Sequence, residues 1–425
     1  MSDNKCYIFF TDSIVNIGGG QLYVKAKMEY LHREGWTVYI YSHINGEILI
    51  REFIPFTQYI YTELNVYPFY LSRYRREKIL KTWYFQICNT TWNEIIIESN
   101  TNILATWSEC FAAMIGAKHI IYNYHETPTC IKRLYDFACF KHKRKEFVGI
   151  TSQIICNYFK GYLSISKDES YSLEAYGANK CIVDYDSLIC SKIKRNAKTI
   201  CVLGRFEKGY VSSSLLKIKS YICANSSTFF NLIYIGGESK GNQVKKSIEN
   251  TFLSVTNVNL MVLGFLYPLP LQLIQKIDVC IASSGAARAV HKEGIPVITF
   301  DANDHNPIGI LGYDTINTLY RESELNVNLE SMLDLVLTNR VDIHRYPVEY
   351  YQEEKFSEHM KFIQDGLRHE LENIAHAKGI DLSKADSSSS RGSAVPASAR
   401  YSTLQDLDAK RHSEIDMFSG ALIKM

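Results

Sequence analysis

The apolar residues of this chain fall into short runs, separated by glycine turns and by stretches with an apolar residue every third or fourth position. Tyr7–Phe10 is one such run, broken by Asp12-Ser13. Ile17-Gly18-Gly19-Gly20 then leads into a stretch where Val24, Met28 and Leu31 recur at i, i+4 and i+7. That spacing predicts a helix with one apolar stripe. Gly35 supplies its stop, and Thr37–Tyr41 resumes as a second strand. Strand, glycine-rich turn, helix and strand form a βαβ unit, which requires a parallel sheet. Further strands are predicted at Ile95–Glu98 and His119–Tyr124, with a helix Cys110–Ile115 and its closing Gly116 between them.

A second series begins near Thr199. Its predicted strands are Thr199–Leu203, Phe229–Ile235, Val258–Leu263, Asp278–Ala282 and Pro296–Phe300, each followed by a helical or turn-rich segment. Two of them end in glycine, at Ile235-Gly236-Gly237 and Leu263-Gly264. Two consecutive α/β series of similar size predict an α/β fold of two Rossmann-like, doubly wound domains facing a cleft, with ligands beyond the carboxyl ends of the strands. The first domain is expected over residues 1–190 and the second over 198–345. Met360–Ala377 reads as helical, and Ser387-Ser388-Ser389-Ser390-Arg391-Gly392-Ser393 breaks that pattern with low-complexity composition.

Composition narrows the function classes. A chain of 425 residues exceeds one compact core, and 46% hydrophobic with 22% charged residues describes a globular protein. A net charge of +2 argues against a dedicated nucleic-acid binder. No apolar run reaches the ~18–20 residues of a membrane span, and no basic-then-apolar leader opens the chain. The eleven cysteines are scattered without a Cys-x-x-Cys pair. They suggest reduced thiols in the cytoplasm rather than zinc or a disulfide framework.

Four segments carry candidate chemistry. Gly204-Arg205-Phe206-Glu207-Lys208-Gly209 joins a strand to a turn with two cations. Glycine there lets the backbone approach a diphosphate, and Arg205 and Lys208 neutralise its charge. Ser283-Ser284-Gly285-Ala286-Ala287-Arg288 opens a helix, so hydroxyls, bare N–H groups and Arg288 form a second phosphate seat; an N-cap serine with a solvent-facing arginine is the plainer alternative. Gly18 and Gly19, at the start of the first helix, either offer their N–H groups to a ligand or form a tight turn that simply starts the helix. His125, beside Glu126 at a strand's carboxyl end, is placed to bond a substrate hydroxyl or to shift a proton. The loop Asp301-Ala302-Asn303-Asp304-His305-Asn306-Pro307 has acids but no metal-ligand spacing, so no metal or cofactor is expected. Two basic clusters with neighbouring aromatics, Arg73-Tyr74-Arg75-Arg76 and Lys141-His142-Lys143-Arg144-Lys145, suit peripheral contact with anionic lipid headgroups, steering of a charged acceptor, or a solvated helix face.

In this order the motifs resemble nucleotide-sugar glycosyltransferases of the GT-B fold, closest to the large retaining group with Gly-Gly near the N-terminus. Ile17-Gly18-Gly19 matches the family's opening of the first helix, Gly204-Arg205 with Lys208-Gly209 its donor-domain turn, and Gly294-Ile295-Pro296-Val297-Ile298 its Gly-x-Pro strand. The likeness spans roughly residues 5–360. It implies transfer of a sugar from a nucleotide diphosphate donor to a glycan or lipid-linked acceptor in cell-surface polysaccharide synthesis, with retention. Arg205, Lys208 and His125 would be catalytic. Gly204, Gly237, Ser283, Ser284, Gly285 and Arg288 would hold the donor, with Gly18 and Gly19 at the reaction centre. The chain departs from the family where a glutamate pair precedes the Gly-x-Pro strand: Ala289 stands where the second is expected, and the segment carrying the first is missing. A non-catalytic subunit that binds a nucleotide sugar or a catalytic partner is the alternative.

The tail resembles another family. Ala399–Asp406 and Lys410–Asp416, with Glu370–Asp381 upstream, look like part of the C-terminal helical domain of ketopantoate reductases, in which the residues matching Ser402 and Glu414 contact the keto acid. No nicotinamide-binding domain or catalytic lysine accompanies them. Residues 366–425 are therefore expected to be a helical appendage without reductase activity, joined by a helix over 346–365.

Overall fold

The computed structural model describes residues 4–11, 14–15, 17–42, 48–59, 62–100, 102–124, 131–166, 170–173, 181–238, 241–339, 341–350, 352 and 354–377. His125, Ser402 and Glu414 lie outside them. The first sheet consists of β1 (Lys5–Thr11), β2 (Trp36–Ser42), β3 (Thr57–Tyr59), β4 (Glu94–Ser99), β5 (Lys118–Asn123) and β6 (Phe147–Gly149). Its spatial order is β3-β2-β1-β4-β5-β6, and every pairing is parallel. The crossover helices are α1 (Gly19–Arg33), α2 (Arg73–Tyr84), α3 (Asn102–Ile115) and α4 (Lys132–Lys143), and α5 (Ser152–Phe159) follows β6.

The second sheet repeats the layout. After the short β7 (Ile182–Val183) come β8 (Lys198–Leu203), α6 (Gly209–Ala224), β9 (Phe230–Ile235), α7 (Gln243–Phe252) and β10 (Val258–Val262). They are followed by β11 (Leu269–Pro270), α8 (Leu271–Ile274), β12 (Val279–Ala282), α9 (Ser284–Lys292), β13 (Val297–Phe300) and β14 (Pro307–Ile310). The order is β10-β9-β8-β12-β13-β14, and β7 pairs separately with β11. Central strands such as β1 and β12 are buried on both faces, which explains why they read as unbroken apolar runs. The expectation of two doubly wound domains is met.

The third helix and β14 are among the elements that differ from the sequence reading. The third helix begins at Asn102 rather than Cys110, because Leu104, Ala105, Thr106, Trp107 and Ser108 are all buried. A helix covered on several sides loses its single stripe. β14 was not expected: it begins with proline, contains Gly309, and runs antiparallel at the sheet edge, where a strand tolerates both. The first basic cluster opens α2, whose N-terminus is capped by the Ser72 hydroxyl accepting from Arg75 N at 3.4 Å.

After α10 (Leu329–Thr338) the chain runs along the second domain and crosses back as α11 (Glu354–Ala377). Phe356, His359, Met360 and Ile363 of α11 are buried against the first domain. One continuous set of buried side chains joins Tyr7, Tyr23 and Met28 of the first domain to Ala282, Ala287 and Val290 of the second.

Candidate functional site at the domain cleft

In a doubly wound sheet the crevice opens where consecutive strands diverge to opposite sides, beyond their carboxyl ends. In the second sheet that point lies between β8 and β12, which are hydrogen-bonded neighbours although β9 to β11 intervene in sequence. β8 ends in Gly204-Arg205 and β12 ends in Ser283-Ser284, so the topology places two separate candidate segments side by side.

The turn after β8 is packed backbone against backbone. Gly204 N donates to Ile235 O at 2.9 Å, Phe206 N to Gly237 O at 3.0 Å, and Gly236 N to Gly264 O at 2.8 Å. Gly236 has φ +147°, and a β-carbon there would collide with the Gly204 carbonyl oxygen. Only glycine fits such an approach. At Gly204 an added β-carbon would meet the Tyr210 hydroxyl, which donates to Leu203 O at 2.7 Å and also engages Ser283. Burial holds that phenol well above its usual range, so it stays a neutral donor linking the two segments. Gly237 lies under the Phe265 ring.

Arg205 is exposed and, among the described residues, its guanidinium has no ion-pair or hydrogen-bond partner. It reaches the first domain: a β-carbon on Gly18 would stand 3.8 Å from Arg205 Cδ and Nε. Lys208 is half-buried and forms the N-cap of α6. The His305 ring covers Gly209 in the next position, and Ser213 Oγ donates to His305 O at 2.7 Å. His305 was not singled out from sequence; only the fold brings its loop onto the start of α6.

Gly18 is the N-cap of α1, and an added β-carbon at Gly19 would meet nothing within 4 Å, so that position faces open space. Gly20 lies beneath the Tyr124 ring, which carries the end of β5 to the start of α1. Among the described residues, the N-cap residues of α1, α6 and α9 make no side-chain capping bond. By contrast Ser72, Thr151 and Asn328 cap α2, α5 and α10, and the Glu238 carboxylate accepts from Val244 N and Lys245 N in α7. The uncapped starts of α1 and α6 flank Arg205, and Tyr210 of α6 joins the start of α9 to them. Backbone N–H groups at such ends suit an anion.

Ser283 is the N-cap of α9, and Gly285 lies in its first turn. Ser284 has φ +54° and donates its N–H to Thr318 O at 2.8 Å. Arg288 does not simply point at solvent. Its Nη1 donates to Thr318 Oγ1 at 2.6 Å and its Nε to Glu349 O at 3.1 Å. One turn on, His291 Nδ1 lies 2.7 Å from Tyr350 OH and Nε2 lies 3.1 Å from Ile343 O. Arg288 and His291 thus hold the segment that leads into α11. The acids of the 301–307 loop have local partners: Asp301 accepts from Asn303 N, Asp304 N and Arg321 N, and Asp304 pairs with Arg321 Nη1 at 2.7 Å.

The other end of that segment locks onto α1. Lys27 Nζ lies 2.5 Å from Glu98 Oε2 and donates to Tyr7 OH at 2.7 Å and Tyr23 OH at 3.2 Å. Tyr7 OH donates to Glu98 Oε2 at 2.6 Å, and His359 Nδ1 of α11 lies 2.9 Å from Lys27 Nζ. All five side chains are buried. Burial lowers the Lys27 pKa against the pull of Glu98. Burial, then the Lys27 charge, push His359 well below its usual range, so its ring is neutral and accepts from the ammonium. Sequence reading missed this network because it saw Lys27 only as a polar position on an amphipathic helix. The second basic cluster is partly internal as well: Lys141 is buried, 2.8 Å from Glu109 Oε2 and 2.5 Å from Glu146 Oε2.

Similarity to known proteins agrees with this geometry at the level of fold. The structure of a glycosyltransferase from Rickettsia africae ESF-5 superposes with a TM-score of 0.59 at 13% identity, covering 88% of this chain and 98% of that one. A UDP-GlcNAc 2-epimerase from Neisseria meningitidis, solved bound to UDP-GlcNAc, gives 0.48 at 11% identity, covering 85% and 100%. MurG from Acinetobacter baumannii gives 0.48 at 10%, covering 85% and 99%. The family described as ketopantoate reductase PanE/ApbA C terminal matches residues 353–425, a span that begins at α11. No curated protein matches the chain by sequence. The chain has the GT-B fold.

Proposed function

We propose that this protein transfers a sugar from a nucleoside diphosphate donor to a glycan or lipid-linked acceptor, in the synthesis of a cell-surface polysaccharide. The supporting observation is Arg205: an exposed guanidinium without a partner among the described residues, at the divergence of the second sheet and against Gly18 of the first domain. Residues 198–345 would bind the donor and residues 1–190 the acceptor. As the bond between the anomeric carbon and the phosphate oxygen breaks, negative charge grows on the leaving diphosphate. Arg205 and Lys208 stabilise it, with the uncapped starts of α6 and α9 seating the phosphates. Ser283, Ser284 and Gly285 fall at that seat, and Gly204 and Gly237 shape its floor. Gly18 and Gly19 leave room for the anomeric carbon. His125 orients the sugar. Arg288 we assign to holding α9 against the 341–350 segment.

Removing one preorganised donor to a developing charge costs about 10²–10³ in turnover. Release of nucleoside diphosphate from a panel of nucleotide sugars, with glycan and lipid-linked acceptors, tests the reading. Turnover by wild type with a loss of that order in Arg205→Ala supports it. A second reading, a binding subunit without activity, is favoured by Ala289, which is buried at 2% exposure and places no carboxylate at the cleft. Donor binding without turnover across the panel would establish that reading instead.

A further inference from the structure

We infer that His305 is a further, proton-dependent contact for the diphosphate at Arg205, so that donor capture strengthens as pH falls. This rests on the sugar-transfer reading and adds a regulation of its donor site. In the second sheet β12 separates β13 from β8, so the loop after β13 must lean over to reach the helix after β8. It does so at His305. A β-carbon added at Gly209 would collide with His305 Nε2, Cε1 and Cδ2. The Nε2 edge of the ring therefore rests on the first residue of α6, directly after the turn that carries Arg205 and Lys208.

Other atoms hold the ring there. His305 N donates to Asp301 O at 3.0 Å, Ser213 Oγ donates to His305 O at 2.7 Å, and Lys217 Nζ donates to Asn306 Oδ1 at 3.2 Å. The ring itself is exposed and makes no hydrogen bond or ion pair among the described residues. The acids of its own loop are engaged elsewhere: Asp304 pairs with Arg321 at 2.7 Å, and Asp301 accepts from Asn303 N, Asp304 N and Arg321 N. The other charged groups packed around it, Arg205 and Lys208 in the turn and Lys217 on α6, are cations. An imidazolium at this place thus takes its counter-charge from a bound anion, and the diphosphate at Arg205 supplies it. Protonated, the ring donates a charge-assisted hydrogen bond; neutral, it offers a weaker one. Imidazole is the side chain whose charge changes between pH 5 and 8.

Calorimetric titration of the full chain with inorganic pyrophosphate and with nucleoside diphosphates, at about pH 6 and about pH 8, tests it. His305→Asn removes the imidazole and tolerates the backbone φ of +57° at this position. It should weaken binding by about tenfold at the lower pH and by no more than about twofold at the higher. The ligand's own titration acts on both proteins alike, so the ratio between them reads the ring. Should the asparagine variant melt early, His305→Gln reads the same ratio. A ring that only covers Gly209 would make the loss equal at both pH values; that result overturns the inference, as does undiminished binding at both. Either one, with binding still lost in Arg205→Ala, leaves the donor seat itself standing. A folded wild type that binds neither pyrophosphate nor any nucleoside diphosphate overturns both readings.

Discussion

Lys27 on α1 and His359 on α11 meet at 2.9 Å inside the first domain, 332 residues apart in sequence. α1 begins at Gly19 with Gly18 as its N-cap, and α11 continues from the segment that Arg288 and His291 hold against α9. The two helices whose N-termini frame the cleft are therefore tied to the two ends of one strap.

The buried pair at its centre should behave as such pairs do. Lys27→Met alone leaves the Glu98 carboxylate uncompensated and should destabilise by about 3–5 kcal/mol in denaturant unfolding. Adding Glu98→Gln should recover most of that loss. A double variant no more stable than the single would show that the charges are not coupled.

Acid should weaken the fold in a defined window. The folded pKa of His359 lies well below 6.5, and burial lowers those of His119 and His291 too. Below pH ~6.5 the unfolded chain takes up protons at these rings that the folded chain refuses. Stability contributed by the neutral rings is thus full above that pH and declines as pH falls. His359→Gln, which can still accept from Lys27, should flatten the slope by up to about 1.4 kcal/mol per pH unit. Equal slopes in wild type and variant would contradict the neutral ring.

Gly204 and Gly236 should respond differently to alanine. At Gly204 the obstacle is the Tyr210 hydroxyl, the end of a side chain; at Gly236 it is a backbone oxygen. Gly204→Ala should be rescued in part by Tyr210→Phe, and Gly236→Ala should not. Thermal melts of the four variants read this directly, and equal rescue at both positions would place the obstacle elsewhere.

Much of this architecture was legible in the chain. β8 and β12 are buried on two faces, so their apolar runs were legible as strands, but that they lie side by side at the divergence point follows only from the sheet order. Gly18 and Arg205 were each singled out, but their approach across the cleft depends on domain placement, which local periodicity does not encode. Arg288 shows the limit most clearly. An arginine one turn into a helix reads as a phosphate contact or a surface residue, and its bonds to Thr318 and Glu349 depend on segments 30 and 61 residues away. Lys27 and Lys141 were opaque for the same reason, since their acids come from other strands and helices. His305 became a site neighbour only because β14 turns its loop back over α6.

Calorimetric titration of the full chain with nucleoside diphosphates, comparing wild type with Arg205→Ala plus Lys208→Ala, bears most directly on the cleft. Binding of one nucleoside diphosphate that disappears in the folded double variant is the predicted result. Undiminished binding in that variant, or none by folded wild type across the panel, would contradict a diphosphate seat at Arg205.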